Sequence, residues 1–325
     1  MVRRPEVKYD ESTRVYIVKI GSESFNIEKR YLEEDKLYEI LKRIAYFCLK
    51  SMKKNFEVDF NELDEIIDVN WFPKVSAEAY FYVMEYLGYV KIVEEKRVNV
   101  KMEAEINMYI LEGLEEYLNE EIEKIRRHLD EIEANVENAE KDINELLTNL
   151  DKEIKNLAKE NKKLMTKFEK SKDPKERERL SDMIREYDSM IRIYEELIKH
   201  VKEGGIIENV EFIKDRYRTS IRLMEMFLSS IRSLKPMSKS LVSLEKSHGK
   251  INSIEELKNS LNELIRKCLM GIIGAIEIKG KALTNEELEE IKERSERYYY
   301  EEVEKPIKSI EESIEELKID KGEHR

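Results

Sequence analysis

Residues 118–168 read LNEEIEKIRRHLDEIEANVENAEKDINELLTNLDKEIKNLAKENKKLMTKF. Apolar side chains recur at Leu118, Ile122, Ile125, Leu129, Ile132, Val136, Ala139, Ile143, Leu147, Leu150, Ile154, Leu157, Leu164 and Phe168. Steps of four and three set them along one side of a helix, the heptad rhythm of a coiled-coil seam. After a polar interruption at Ser171 to Lys175 the rhythm resumes at Leu180, Ile184, Tyr187, Ile191, Tyr194, Ile198 and Val201. A second helix is therefore expected to fold back on the first as an antiparallel coiled coil with its tip near 171–175. Asp173-Pro174-Lys175-Glu176 marks the start of the return: Asp as cap, Pro where a missing N–H costs nothing, and Glu in the first turn.

Working outward, the helical pattern extends over 104–170 going up and 174–235 coming back, roughly 100 Å and roughly 93 Å of helix at 1.5 Å per residue. The two limbs match in length, which favours closure within one chain, although a homodimeric four-helix bundle would leave the same pattern. Two successive steps of four at Ala139, Ile143 and Leu147 form a stutter, and Gly204-Gly205 interrupts the return strand at a similar height. An elbow is expected there, about 50 Å below the tip, with Gly204 and Gly205 as the hinge.

Composition suits such an elongated chain. Of 325 residues, 40% are charged and 41% hydrophobic, too little apolar matter for two large globular cores. Glutamine is absent while Lys, Glu and Ile abound, a bias expected of a thermophilic, archaeal source, although an AT-rich genome would raise Lys, Ile and Asn by itself and Asn is not depleted here. Cys48 and Cys268 lie far apart within apolar helical patterns and read as buried free thiols. His128, His200, His248 and His324 share no ligand spacing, so neither a metal nor a cofactor is expected. No apolar run approaches a membrane span and no signal-peptide core follows Met1 to Pro5, so the protein is expected to be soluble and cytoplasmic, with no membrane partner. A net charge of -12 argues against a surface that coats nucleic acid throughout, and any DNA contact must be local.

Before the long helix, residues 13–27 alternate as a hairpin broken at Gly21-Ser22, an extension occupying 1–35. Lys36 to Met52 places Leu37, Leu41, Ile44, Cys48 and Met52 on one helical face. Asp59 with Glu62 reads as a capping box opening a second helix, and Ser76 caps a third that ends at Gly88. Tyr89 to Val93 and Arg97 to Met102 then alternate as two strands around a polar turn. Three helices followed by a hairpin, joined at Tyr86-Leu87-Gly88-Tyr89-Val90, resemble a winged-helix domain over about residues 36–102, within a domain at 36–103. The expected fold class is thus mainly α: an N-terminal winged-helix domain of α+β type, a long antiparallel coiled-coil hairpin and C-terminal helices.

Beyond Pro236 a Ser-rich linker is expected at 236–252, followed by helices over 253–325 that pack near the N-terminal domain. Ser253 with Glu256 reads as a capping box, as does Thr284 with Glu287, and Pro306 is expected to kink or interrupt the last helix.

A winged helix that reads DNA presents a third helix rich in Arg, Lys, Asn or Gln. Here that helix carries Glu78 and Glu85 with Tyr80, Phe81, Tyr82 and Tyr86 and no basic residue, which suits a protein interface or the domain core. The wing keeps Lys91, Lys96, Arg97 and Lys101, and Arg3, Arg4 and Lys8 lie at the N-terminus, which leaves room for nonspecific contact with a nucleic-acid backbone. The densest basic run is Lys214, Arg216, Arg218, Arg222, Arg232, Lys235 and Lys239, continuing to Lys246 and Lys250, a candidate surface for nucleic acid or an acidic partner. Its competing reading is a solvated helix face balancing the acidic outgoing limb. Gly271, Gly274 and Gly280 lack a phosphate-loop context and are better explained by close helix packing. No residue is singled out as catalytic. The expectation is a noncatalytic scaffold that joins protein partners, DNA-associated in chromosome organisation or segregation, with a layout similar to accessory proteins of chromosome-structuring complexes. The alternative is a winged-helix transcription regulator that dimerises through its coiled coil.

Overall fold

Val7 and Tyr9, Tyr16 and Val18, and Phe25 and Ile27 each stand two residues apart and pair across to one face of an antiparallel sheet, which has three strands rather than the two expected. In the computed structural model, which describes residues 5–67, 76–93, 97–203, 206–249, 251–281 and 283–319, these are β1 (Glu6–Asp10), β2 (Val15–Ile20) and β3 (Glu23–Glu28). The strand missed by the sequence, β1, pairs Val7 with Val18 and Tyr9 with Tyr16. Tyr16, Val18 and Ile27 are buried beneath the sheet, and Tyr16 meets Tyr86 edge-on at 6.2 Å.

The next elements are α1 (Glu34–Lys50), β4 (Glu57–Asp59), α2 (Leu63–Ile66), α3 (Ala77–Leu87), β5 (Val90–Val93) and β6 (Arg97–Val100). The second sheet has the order β4-β6-β5, so a strand between the first two helices pairs with the last strand of the hairpin. The second helix is one 3-10 turn at Phe60–Glu62 leading into the four residues of α2, shorter than expected, with Asp59 N–H donating to Glu62 Oε2 at 2.8 Å. Ser76 Oγ accepts from Ala79 N–H, and Gly88 ends α3 at φ 93°, a conformation that favours glycine.

Then come α4 (Ala104–Lys170), α5 (Pro174–Glu203), α6 (Ile206–His248), α7 (Asn252–Ile278), α8 (Asn285–Tyr299) and α9 (Lys305–Ile319). The chain is mainly helical, with small antiparallel sheets at its N-terminal end. It divides into two compact units: residues 1–125 with 216–325, and residues 126–215.

The first unit is held together by a close approach of α1 to α4. Tyr38 stacks on Tyr109 with centroids 3.6 Å apart, and Tyr46 meets Tyr117 edge-on at 5.2 Å. Both tyrosine pairs are eight residues apart on each helix, and at the midpoint Gly113 lies against the main chain of Lys42. The helices therefore run parallel, in register at every fourth residue. Tyr46 donates to Glu120 Oε2 at 2.6 Å, a hydrogen bond that, with burial, pushes the Tyr46 hydroxyl up to about 12. On α7, Leu261, Ile265, Cys268, Leu269, Ile272 and Ile276 are buried, and Gly271 makes room for the Phe227 ring of α6. Gly274 faces open space, so packing accounts for Gly271 alone of this pair.

Two expectations about the C-terminal third are corrected. No linker begins at Pro236: α6 continues through it to His248. Proline removes one i→i−4 hydrogen bond, but Leu234, Met237, Leu241 and Leu244 on both sides are at most 5% exposed, and their burial offsets the roughly 3 kcal/mol that an interior proline costs. Ser253 is not the cap of the next helix either. The chain turns at Gly249 (φ 70°), and α7 starts at Asn252 after Ile251, whose carbonyl accepts from Ile254 and Glu255. Thr284 and Glu287 do form their reciprocal capping box. Upstream of Pro306 the α-helical ladder gives way to a π turn at Tyr300–Glu304, after which the helix resumes as α9.

In the second unit α4 and α5 run antiparallel. The Arg177 guanidinium lies 4.6 Å from the Phe168 ring centroid, Asn161 Nδ2 donates to Asp188 Oδ1 at 2.6 Å, and Lys214 of α6 pairs with Glu133 at 3.9 Å. The partners of each pair stand at nearly equal distances on either side of Asp173, so one register runs along the whole unit. Leu150, Leu164 and Leu180 are buried in it. Asn161, which fills the gap between Leu157 and Leu164 in the apolar row, is only 5% exposed. Through Ala139, Ile143 and Leu147 α4 is unbroken. The hinge pair Gly204-Gly205 lies outside the described residues, between the end of α5 and the start of α6.

Candidate functional site

The basic run of α6 is positioned by a helix that buries Leu223, Met224, Phe227, Leu228 and Ile231 and turns the intervening cations outward. Carboxylates of neighbouring elements meet many of them there. Lys214, in the second unit, pairs with Glu211 at 2.5 Å as well as with Glu133. In the first unit Arg222 pairs with Glu296 at 3.2 Å, and Arg232 and Lys235 converge on Glu115 at 2.9 and 2.7 Å. Burial alone would raise the Glu115 pKa, but the hydrogen bonds and charges of Lys235 and Arg232 hold it below its ordinary value. Arg216 donates to the main-chain oxygen of Lys281, and Arg218 is exposed. Lys239 and Lys246 are exposed and have no ion-pair partner among the described residues. Four cations of the run, Lys214, Arg222, Arg232 and Lys235, are thus matched to acidic residues of neighbouring elements.

In the hairpin of β5 and β6, Lys91 is exposed and Lys101 half-buried, neither with an ion-pair partner among the described residues, while Arg97 pairs with Glu57 at 3.5 Å. Lys96, Arg3 and Arg4 lie outside the described residues, and Lys8 pairs with Glu6 at 2.8 Å.

The aromatic residues of α3 separate into two sets. Tyr80 and Phe81 are fully buried, Tyr80 donating to the main-chain oxygen of Tyr31 at 2.9 Å, so these two serve the core and offer nothing to a partner. Helical periodicity turns them inward with Met84. Tyr82 is half-buried against Phe60, and Tyr86, 57% exposed, ends the aromatic row Tyr9–Tyr16–Tyr86. Glu85, beside it, accepts from the Ile92 N–H at 2.8 Å and so ties α3 to β5.

One surface went unread in the sequence. Beside the row that faces α4, α5 carries Met190, Ile193 and Leu197, which are 37%, 57% and 42% exposed. With Met183 they repeat at helical spacing, a second stripe one position ahead of Ile184, Ile191 and Ile198. Its signal was present as Met183-x6-Met190-x6-Leu197, masked by the stronger heptad next to it.

Both thiols are fully buried, and burial pushes Cys48 and Cys268 up to about 12. Among the described residues no cluster of His, Cys, Asp and Glu is arranged to hold a metal ion, and no helix is long and apolar enough to cross a membrane. Compared with known proteins, the chain matches no protein family, no curated protein and no solved structure.

Proposed function

We propose that this protein is a noncatalytic scaffold that joins protein partners, with a winged-helix domain at about residues 36–102 and an antiparallel coiled coil built from α4, α5 and the start of α6. The order α1, β4, α2, α3, β5, β6, with β4 against β6, supports the winged-helix reading. The register through Asn161–Asp188 and Glu133–Lys214, with leucines buried along it, supports the coiled coil. The observation that carries the scaffold reading is the outward apolar stripe of Met190, Ile193 and Leu197, because a row of large apolar side chains at helical spacing on a charged hairpin marks a surface that another protein covers. The pairing of Arg222, Arg232 and Lys235 with Glu296 and Glu115 favours this over a DNA-binding role for α6.

The second reading, a DNA-binding regulator or a DNA-associated scaffold, is favoured by Lys91 and Lys101 on the wing. Anisotropy of a labelled duplex of about 30 base pairs, titrated at low and moderate salt with the protein and a Lys91→Glu/Lys101→Glu variant, separates the two. A pure protein scaffold leaves the duplex free at low salt. Salt-sensitive binding that the variant loses assigns DNA to the wing, and selectivity among duplex sequences would replace the scaffold with the regulator.

A further inference from the structure

We propose that the outward stripe of α5 is a docking strip for a basic amphipathic helix of a partner protein. This rests on the scaffold reading and names the partner's chemistry.

Met183, Met190 and Leu197 repeat every seven residues, with Ile193 between the last two, so the strip covers about 21 Å along one face of α5. Ile193 and Leu197 are among the most exposed large apolar side chains of the described residues. A row straight along a helix axis at heptad spacing is matched by another helix, whose own apolar residues recur at the same interval. A strip of this length takes a helix of about four turns.

The charges around it fix the partner's sign. Asp182 and Glu196 border the strip on its outer side, and Glu186 stands in line with it one turn before Met190. Across the seam Glu153 precedes Ile154 of α4 as Met190 precedes Ile191 of α5, which in an antiparallel pair sets both on the same side of the hairpin, and the register brings Glu153 to the height of Tyr194 to Glu196. All four carboxylates are exposed, and none has an ion-pair partner among the described residues. Of the cations of α5, Arg185, Arg192 and Lys199 repeat on the face turned away, while Arg179 stands in line with the strip, one turn beyond its Met183 end and outside the roughly 21 Å it covers. An apolar row with acidic borders selects a helix whose leucine-like stripe is flanked by Lys or Arg, since like charges on the two rims would repel. A second copy of this chain fails that condition. Laid antiparallel, strip on strip, it would set Asp182 of one copy beside Glu196 of the other.

The probe is a fluorescein-labelled peptide of about 21 residues, three heptads with Leu at the seam positions and Lys at the flanking ones, beside a counterpart with Glu for Lys. Anisotropy with the full-length protein should show binding of the Lys peptide, weakened as salt rises from about 50 to about 500 mM, and no binding of the Glu peptide. Ile193→Asp should weaken it at least tenfold, and Asp182→Lys with Glu196→Lys should weaken the Lys peptide while admitting the Glu peptide. These positions are exposed, and circular dichroism of each variant confirms retained helix. Equal binding of both peptides, or binding of the Lys peptide unchanged by Ile193→Asp, overturns the proposal. Sedimentation of the protein alone as a dimer that Ile193→Asp dissolves also overturns it, by giving the strip to a second copy. The duplex titration reads the wing and the peptide titration reads α5, so either inference fails without the other.

Discussion

Gly113 of α4 lies so close to Lys42 of α1 that a methyl group on its α-carbon would overlap the Lys42 carbonyl oxygen. The obstacle is main chain, which cannot swing aside as a side chain can. Gly113→Ala should therefore separate the helices that Tyr38–Tyr109 and Tyr46–Tyr117 clamp, at a cost of about 1–3 kcal/mol in urea unfolding. Gly271→Ala, which would overlap the Phe227 ring, should destabilise as well. Gly274→Ala is the control. It is also interior to α7 but meets nothing within 4 Å, and should stabilise by about 0.5–1 kcal/mol through helix propensity.

Asn161 is a polar residue in an apolar row, and its partner Asp188 offers an acceptor at a single height. A leucine row alone can slide by a heptad at little cost, whereas an amide that loses its acceptor in a buried seam costs about 1–3 kcal/mol. Asn161→Leu should leave thermal stability equal or higher yet loosen the register. Spin labels at Glu153 and Glu195 should give one narrow distance distribution in the native protein and a broadened or split one in the variant.

Cys48 and Cys268 should be silent to a thiol-exchange reagent at neutral pH and both titrate in denaturant. Burial is the cause in each: it excludes the reagent and disfavours the thiolate. Rapid labelling of the native protein would contradict the packing of α1 and α7.

Glu115 gives a test by pH. Its carboxyl is held below the ordinary 4.5 in the folded protein, so its contribution to stability is fully present above that value and is lost as pH falls through the lower folded pKa. Glu115→Gln should cost below ~1 kcal/mol at neutral pH, because Arg232 is largely exposed, and the difference from the native protein should shrink as pH falls below 4.5 in urea titrations.

What was legible in the sequence was whatever repeats. The 67-residue α4 announced its extent through fourteen apolar positions, and Asp173-Pro174 announced the start of α5, with Asp173 Oδ1 accepting from Lys175 N–H. What escaped depends on neighbours. Pro236 reads as a stop by its own chemistry and is overridden by buried leucines on either side. Tyr80 and Tyr86 are the same residue type six positions apart, and only helical phase sends one to the core and the other to solvent. The cations of α6 form a patch when read along the chain, yet Glu115 and Glu296, which meet them, are more than 70 residues distant in it. Lys42 and Gly113 are likewise far apart, although Tyr38-x7-Tyr46 and Tyr109-x7-Tyr117 share one spacing that could have matched the two helices.

The π turn at Tyr300–Glu304 bears on the length of the chain itself. Such a turn holds one residue more than an α turn, so α8 and α9 together contain a supernumerary residue that an uninterrupted helix would not need. The extra residue shifts the phase of everything after it, which is how Val303, Ile307, Ile310 and Ile314 all come to face inward. The wider turn also relieves the ring of Pro306 from the carbonyl four residues before it. Proline and surplus residue are therefore a matched pair, and a natural variant that had lost one would be expected to have lost the other.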